Sequence, residues 1–296
     1  MQIPANAQHL VPGSGSGPIL VLLHGIGLGK WIWERDQAHW AESHGLSSLA
    51  LDFQGHGSQA GQDVRLEELA EQVHTLLDTL EQPVVLVGHS MGGLVAQMVA
   101  SRRDLHGVVC VASAPPKGVF LRPTKAGIRA ILPSLAGFVR GKPLALSNKA
   151  YLGCGFDQLD EPARSQALAR LTPWPNALAK DLVIGRPDIP LGGISSPMLV
   201  IHGFKDPIVT LHQSRLLADH YGALLWRFDD VAHHPMIEPS GLRVTEAIAE
   251  FAVKPTRRLV REIDAFSPEQ GIGKGGRDAR DPNPMRSDSK FGDRRR

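Results

Sequence analysis

From Ile19 onward the chain alternates short, wholly apolar runs with longer stretches in which apolar residues recur at three- and four-residue steps. The first pattern is that of a strand buried on both faces, the second that of a helix with one apolar side. In order they predict a strand over Ile19 to Leu23, a helix over Trp31 to Ser43, a strand over Leu46 to Phe53, a helix over Leu66 to Leu80 and a strand over Pro83 to Val87. A sharp turn at Gly88 to Gly92 leads into a helix to about Ala100, and Gly107 to Ala112 reads as the next strand. Such repeated units belong to the α/β class, with a parallel sheet covered by helices on both faces.

The repeat then stops. Between Pro115 and about Pro190 the helical patterns are broken by Pro133, Gly141, Pro143, Pro162, Pro173 and Pro175, so this stretch reads as an insertion. The sheet pattern resumes with a strand over Met198 to Ile201, a helix over Leu211 to His220, a strand over Leu224 to Phe228 and a helix over Gly241 to Phe251. The expected layout is a core built from residues 1–114 and 191–254, an insertion over 115–190 and a basic tail over 255–296. Gly271 to Arg296 has scarcely any apolar residue and cannot offset the entropy of ordering, so it is expected to be disordered.

Composition narrows the picture only a little. At 296 residues and 42% hydrophobic the chain can bury a sizeable core, and a formal net charge of +2 gives no reason to expect nucleic acid as a partner. The balance is uneven: from Lys254 onward 12 Lys and Arg face 7 Asp and Glu, which leaves 20 against 23 before that point. Cys110 and Cys154 stand in unrelated contexts and read as free thiols. The opening stretch lacks the basic start and apolar core of a secretory signal, and no apolar run approaches the ~18 residues of a membrane span, so the expected location is cytoplasmic. Thirteen histidines are present, yet no H-E-x-x-H pattern or paired cysteine accompanies them; neither metal nor cofactor is expected.

Gly88-His89-Ser90-Met91-Gly92 follows an apolar strand and opens a helix. This is the strand-turn-helix setting of a G-x-S-x-G elbow, in which two glycines permit a turn tight enough to hold a serine hydroxyl clear of the backbone. Serine alone is a poor nucleophile and needs a base and an orienting acid, which follow in the order Ser, Asp, His. Asp206 lies just past the strand that starts at Met198, and His233 lies on the loop after the last strand, both at the sheet edge where the active sites of open α/β sheets gather. His234 stands beside His233 as an alternative base, and Asp229 and Asp230 as alternatives to Asp206. His24 and His89 flank the same region and are read as structural, as are Trp31, Trp33 and Trp40.

Four motifs together carry a resemblance to the α/β-hydrolase superfamily, in its lidded, serine esterase-like branch, over about Ile19 to Phe251. They are His24-Gly25-Ile26-Gly27, the segment from Asp52 to Ser58, the elbow around Ser90, and Gly203-Phe204-Lys205-Asp206. The family's G-H-x-P pattern around the base is matched as Ala232-His233-His234-Pro235, with alanine in place of glycine. The resemblance implies an α/β-hydrolase fold, a mostly parallel central sheet flanked by helices, with a helical lid inserted before the acid-bearing strand. It implies Ser90, Asp206 and His233 as catalytic residues, an oxyanion hole from the backbone N–H groups of Ile26 and Met91, and cleavage of a small, mostly apolar ester through an acyl-enzyme. Because the family usually opens with two antiparallel strands and little chain precedes Ile19, the N-terminal edge is expected to be shortened.

The same machinery serves C–C bond hydrolases, lactonases, thioesterases and acyltransferases, and some proteins of this fold bind ligands without turnover. A dinucleotide-binding reading of Gly25-Ile26-Gly27-Leu28-Gly29-Lys30 fails on spacing, since Lys30 stands where the third glycine is required. Apolar stretches of the insertion, among them Val119-Phe120-Leu121 and Ala130-Ile131-Leu132, are expected to roof an apolar pocket.

Overall fold

In the computed structural model, which describes residues 5–119, 124–256 and 262–264, the chain enters through a strand the apolar pattern does not predict. This is β1 (Gln8–Val11), only partly buried, and it is followed by β2 (Ile19–Leu23). A single 3-10 turn, Lys30–Trp33, precedes α1 (Glu34–His44), which ends at Gly45 in the left-handed conformation that glycine adopts without penalty. Then come β3 (Ser48–Leu51), α2 (Leu66–Leu77), β4 (Val84–His89), α3 (Met91–Ala100) and β5 (Gly107–Val111). After the insertion follow β6 (Met198–Gly203), a helix over Leu211–Tyr221, β7 (Leu224–Phe228), a helix over Leu242–Val253 and β8 (Glu262–Asp264).

The sheet runs β1-β3-β2-β4-β5-β6-β7-β8. Among the described residues seven strands are parallel, and β1 alone is antiparallel, paired with β3. Among the described residues, one antiparallel strand, β1, forms the N-terminal edge of the sheet. Along each parallel strand successive side chains enter different layers. Ile19, Val21 and Leu23 join Leu86, Val108 and Val200 in a core capped by α2 and α3, whereas Leu20 and Leu22 join Val87, Val109 and Ile201 in a core holding Trp33, Trp40 and the 242–253 helix. Trp31, Trp33 and Trp40 are all buried there, and Cys110 and Cys154 are buried free thiols.

Between β5 and β6 the chain forms α4 (Lys125–Ile131), α5 (Leu135–Val139), α6 (Asn148–Leu152), α7 (Glu161–Ala169) and α8 (Asn176–Val183). The prolines keep these helices short; Pro162 sits in the first turn of α7 and Pro175 is the residue before α8, positions that cost no helical hydrogen bond. With the insertion placed, Leu211–Tyr221 is α9 and Leu242–Val253 is α10. β8 pairs with β7 and falls inside the 255–296 stretch set apart above as tail; three residues flanked by charge give too brief a signal to separate from it. Phe120 and the segment from Gly271 to Arg296 lie outside the described residues. Among the described residues no helix is long and apolar enough to cross a membrane.

Because β2, β4, β5, β6 and β7 run the same way, their C-terminal ends meet along one edge. That edge receives the loops carrying Ile26, Ser90, Asp206 and His233.

Candidate active site

Ser90 stands between β4 and α3 at φ 52° and ψ −115°, a conformation side chains rarely adopt and one that costs about 1–3 kcal/mol unless the surroundings enforce it. Here they do. The Ser90 N–H donates to the Val111 carbonyl at 3.0 Å, and the Ser90 carbonyl accepts from Gly93 N–H at 3.1 Å and Ala114 N–H at 3.0 Å. The flanking glycines are required by close approach: a Cβ on Gly88 would collide with the Gly92 carbonyl, and one on Gly92 with the carbonyls of Leu23 and His24.

Asp206 and His233 come together from the ends of β6 and β7. The side chain of Asp206 is fully buried; its Oδ2 lies 2.7 Å from His233 Nδ1, and its Oδ1 accepts from the N–H groups of Ile208 at 2.7 Å and Val209 at 3.0 Å. A carboxylate can only accept, so His233 Nδ1 carries the proton and Nε2 presents its lone pair. Asp229 and Asp230 are engaged elsewhere, with Arg227 and Arg243 respectively.

His234 is placed differently. Its Nδ1 donates to the Cys154 carbonyl at 2.8 Å, and burial, with the neighbouring His233 adding to it, lowers its pKa to about 3. A protonated His234 would therefore have only a neutral carbonyl at Nδ1, where His233 has a carboxylate.

Two contacts hold the His233 loop that the sequence patterns did not reveal. His89 donates Nε2–H to the His233 carbonyl at 2.8 Å. Glu238, wholly buried, accepts from Ala232 N–H at 2.7 Å with Oε2 and from His234 N–H at 3.1 Å with Oε1, gripping the backbone on both sides of His233. Gln158 Nε2 donates to the same Oε2 at 2.9 Å. Burial raises the Glu238 pKa, and these hydrogen bonds act against that rise. One ring nitrogen from each of His89, His233 and His234 lies within 4.8 Å of the others, and burial drives His89 well below its ordinary value.

The loop carrying Ile26 is fixed from beneath. Lys30 Nζ lies 2.6 Å from Asp52 Oδ2, and Lys30 N–H donates to Asp52 Oδ1 at 2.7 Å. Burial works to raise the Asp52 pKa, yet the bonds from Lys30 and Ser58 hold it below the usual range. His24 donates Nδ1–H to the Gly25 carbonyl and accepts from Phe53 N–H, with its pKa lowered by burial to about 4. Both are structural uses, and Lys30 and Asp52 bind each other. His202 is likewise buried against Ser214 Oγ, and half-buried His220 bonds the Ile189 carbonyl.

The N–H groups of Ile26 and Met91 meet no described hydrogen-bond acceptor. Met91 opens α3, where a helix has no acceptor to offer its first donors. Both residues line a cavity of about 230 Å³ that also touches Ser90, His233 and His234. The insertion supplies much of its remaining wall, through Ile131, Tyr151, Trp174 and Val183. Leu132, named with Ile131 in the sequence, is instead 62% exposed and absent from that wall. Tyr151 and Trp174 had no signal in the sequence; they meet at 3.3 Å, and a Cβ on Gly27 would strike both.

A parallel sheet with helices on both faces, a strained serine on the elbow after β4, and a histidine bonded to an aspartate at the same edge define an α/β hydrolase. The sequence profile described as "Alpha/beta hydrolase family" matches residues 20–245, and the chain belongs to that family. It is 38% identical over 106 residues to the pimeloyl-[acyl-carrier protein] methyl ester esterase of Aeromonas salmonicida, a match covering 34% of this chain and 40% of that protein. The match therefore spans less than half of that relative. The Vibrio cholerae protein of the same name is 29% identical over 259 residues, 81% of this chain and 96% of that one. Among solved structures, the enol-lactonase from Burkholderia xenovorans LB400 superposes with a TM-score of 0.66 at 23% identity, covering 82% of this chain and 95% of that chain.

Proposed function

We propose that this protein is a serine hydrolase that cleaves a small, mostly apolar carboxylic ester through an acyl-enzyme. The observation that carries the reading is the presence of Ser90 and His233 on one apolar cavity, with His233 held through Nδ1 by Asp206. In this reading His233 Nε2 removes the Ser90 proton as the hydroxyl attacks the ester carbonyl. The N–H groups of Ile26 and Met91 receive the developing oxyanion; a preorganised donor of this kind is worth roughly 10²–10³ in rate. His233 then returns the proton to the departing alcohol. Water, activated by the same histidine, attacks the Ser90 acyl ester, and Ser90 is released with the carboxylic acid. Asp206 keeps His233 in the tautomer that exposes Nε2 and stabilises the imidazolium.

The helical insertion acts as a lid, with its inner side chains facing the bound acyl group. Among the described residues the lining is dominated by aliphatic and aromatic side chains, and histidines are its only titratable groups besides Tyr151 and Cys154. Burial pushes both the Cys154 thiol and the Tyr151 hydroxyl up to about 12, so neither is ionised near neutrality. An uncharged acyl group suits such a wall. The two relatives above are named for methyl esters, which places methyl esters of medium-chain acids beside p-nitrophenyl esters in the test panel. Turnover across that panel, with covalent labelling of Ser90 by a fluorophosphonate, tests the proposal; labelling without turnover of any ester, thioester or lactone would leave a binding protein instead.

A further inference from the structure

The stretch that runs from β5 into the insertion has a charge pattern unlike the rest of the chain. Between Asp104 and Asp157 the sequence carries seven Lys and Arg and no Asp or Glu, in a molecule whose net charge is +2. Within this stretch α4, one 3-10 turn over Leu132–Ser134 and α5 adjoin without a break. Ile128, Leu132, Leu135 and Val139 follow one another at steps of four, three and four residues, the spacing of a single helix stripe. All four face solvent, at 54%, 62%, 42% and 71% exposure. Lys125 and Arg129 on α4, with Arg140 and Lys142 just beyond α5, border this stripe. None of these cations pairs with a described carboxylate. On the other side of the same helical course, Gly127, Ala130 and Ile131 line the cavity that contains Ser90.

We infer that α4 and α5 form a docking surface for an anionic phospholipid membrane, and that docking brings the mouth of the Ser90 cavity to the lipid surface. Two independent features support this partner. An unbroken aliphatic stripe exposed to water finds its complement in an apolar medium, and large exposed apolar patches mark interaction sites. Unpaired cations beside it match the negative headgroups, the combination that holds interfacial helices in the headgroup region. A second copy of this chain fits less well, because a two-fold contact would set like cations against each other. A soluble acidic protein would use the cations but has less use for four aliphatic side chains in a row.

The test is co-sedimentation of the full chain with vesicles of equimolar phosphatidylglycerol and phosphatidylcholine, and with vesicles of phosphatidylcholine alone. The docking surface predicts strong partitioning to the first, weak partitioning to the second, and loss with added salt. Near an anionic surface each cation contributes about five-fold in partitioning, so Arg129→Gln with Arg140→Gln lowers it roughly 25-fold. Ile128→Ser with Val139→Ser lowers it by about ten-fold or more, since each removes methyl groups that would enter the lipid. Neither pair touches the cavity, so both should keep the thermal midpoint and the kcat/KM on a short soluble ester, which separates lost docking from lost folding. The measurement needs no catalysis and can be repeated on Ser90→Ala, so its failure is distinct from failure of the hydrolase reading. Four outcomes overturn the inference. They are no binding to the anionic vesicles, equal binding to both vesicle types, binding unchanged in both variant pairs because the basic stretch after Lys254 carries it, and loss in the arginine pair alone. The last would mark a purely electrostatic surface of the sort an acidic protein reads.

Discussion

His89, the residue before the elbow serine, donates its ring N–H to the main-chain carbonyl of His233, 144 positions away in sequence. The bond ties the turn that carries Ser90 to the loop that carries His233, so the distance between them is set by rigid elements on both sides. Glu238 completes the support by accepting from the N–H groups on either side of His233.

Loosening that support should impair chemistry more than binding. Glu238→Gln replaces one acceptor with an NH₂ group facing a backbone N–H, and a displacement of about 1 Å at a reacting group can cost 10²-fold. We therefore expect kcat on the ester panel to fall by about 10–100-fold with KM nearly unchanged. His89→Leu should behave alike, since it removes the donor to the His233 carbonyl. A rise in KM with kcat retained would show instead that these residues shape the substrate pocket.

Substitutions in the proposed triad should separate the two adjacent histidines. Ser90→Ala is expected to abolish turnover and fluorophosphonate labelling with the thermal midpoint retained. His233→Ala should cost roughly as much, and Asp206→Asn about 10⁴ in kcat, because the amide favours the wrong imidazole tautomer. His234→Ala should cost far less. If His234→Ala proves the more damaging, the base is His234 and the Asp206 contact is structural.

The strands β2 to β6 were legible because a parallel strand buried on both sides leaves an apolar run. The elbow was legible for a similar reason: glycines at 88 and 92 are imposed by backbone contacts. Asp206 and His233 could be read from their places after strands, but the choice between His233 and His234 rests on what each Nδ1 bonds, which adjacency in sequence does not encode. Glu238, Tyr151 and Trp174 were hidden because their work depends on contacts between distant segments. Ile131 and Leu132 are equally apolar, yet one lines the cavity and the other faces solvent, and the broken periodicity around Pro133 conceals which side of the helix is which. β1 and β8 were missed because strands of four and three residues carry no apolar run long enough to stand out.

Acid should destabilise the protein well above the carboxylate range. Burial lowers the pKa of His24 and His202 to about 4 and that of His56 and His234 to about 3, and drives His89 well below its ordinary value. A histidine with a depressed folded pKa is protonated first in the unfolded chain, so stability is lost as pH falls from about 6.5 toward the folded value. Asp36, raised by burial to about 6 despite Arg35, acts in the opposite sense, as does Glu238. Each favours the folded state as pH falls through the window between its unfolded and folded pKa. These five buried histidines against two carboxylates make unfolding at pH 5 take up a net number of protons. Calorimetry in buffers of different ionisation enthalpy measures that number directly. A thermal midpoint that stays flat from pH 7.5 to pH 5, with no proton uptake, would refute the balance.

The wall of the cavity should govern which acyl group is accepted. Ile131 lines the cavity with Ser90, whereas its neighbour Leu132 is mostly exposed. Ile131→Ala enlarges the space above the proposed nucleophile and should shift relative kcat/KM from short toward longer acyl esters, within the roughly 10–200-fold that one mis-fitted methylene can confer. The shift arises because a longer chain fills the vacated volume, while a short one loses contacts and gains none. Leu132→Ala serves as the control: on soluble esters it should leave the preference unchanged, since its side chain touches no bound acyl group. If Ile131 only held α4 in place, its truncation would lower the thermal midpoint and depress every ester alike. Rates across acyl lengths, measured with the midpoint for both variants, distinguish these cases. A uniform loss that tracks stability, or an equal shift from Leu132→Ala, would remove the insertion from substrate selection.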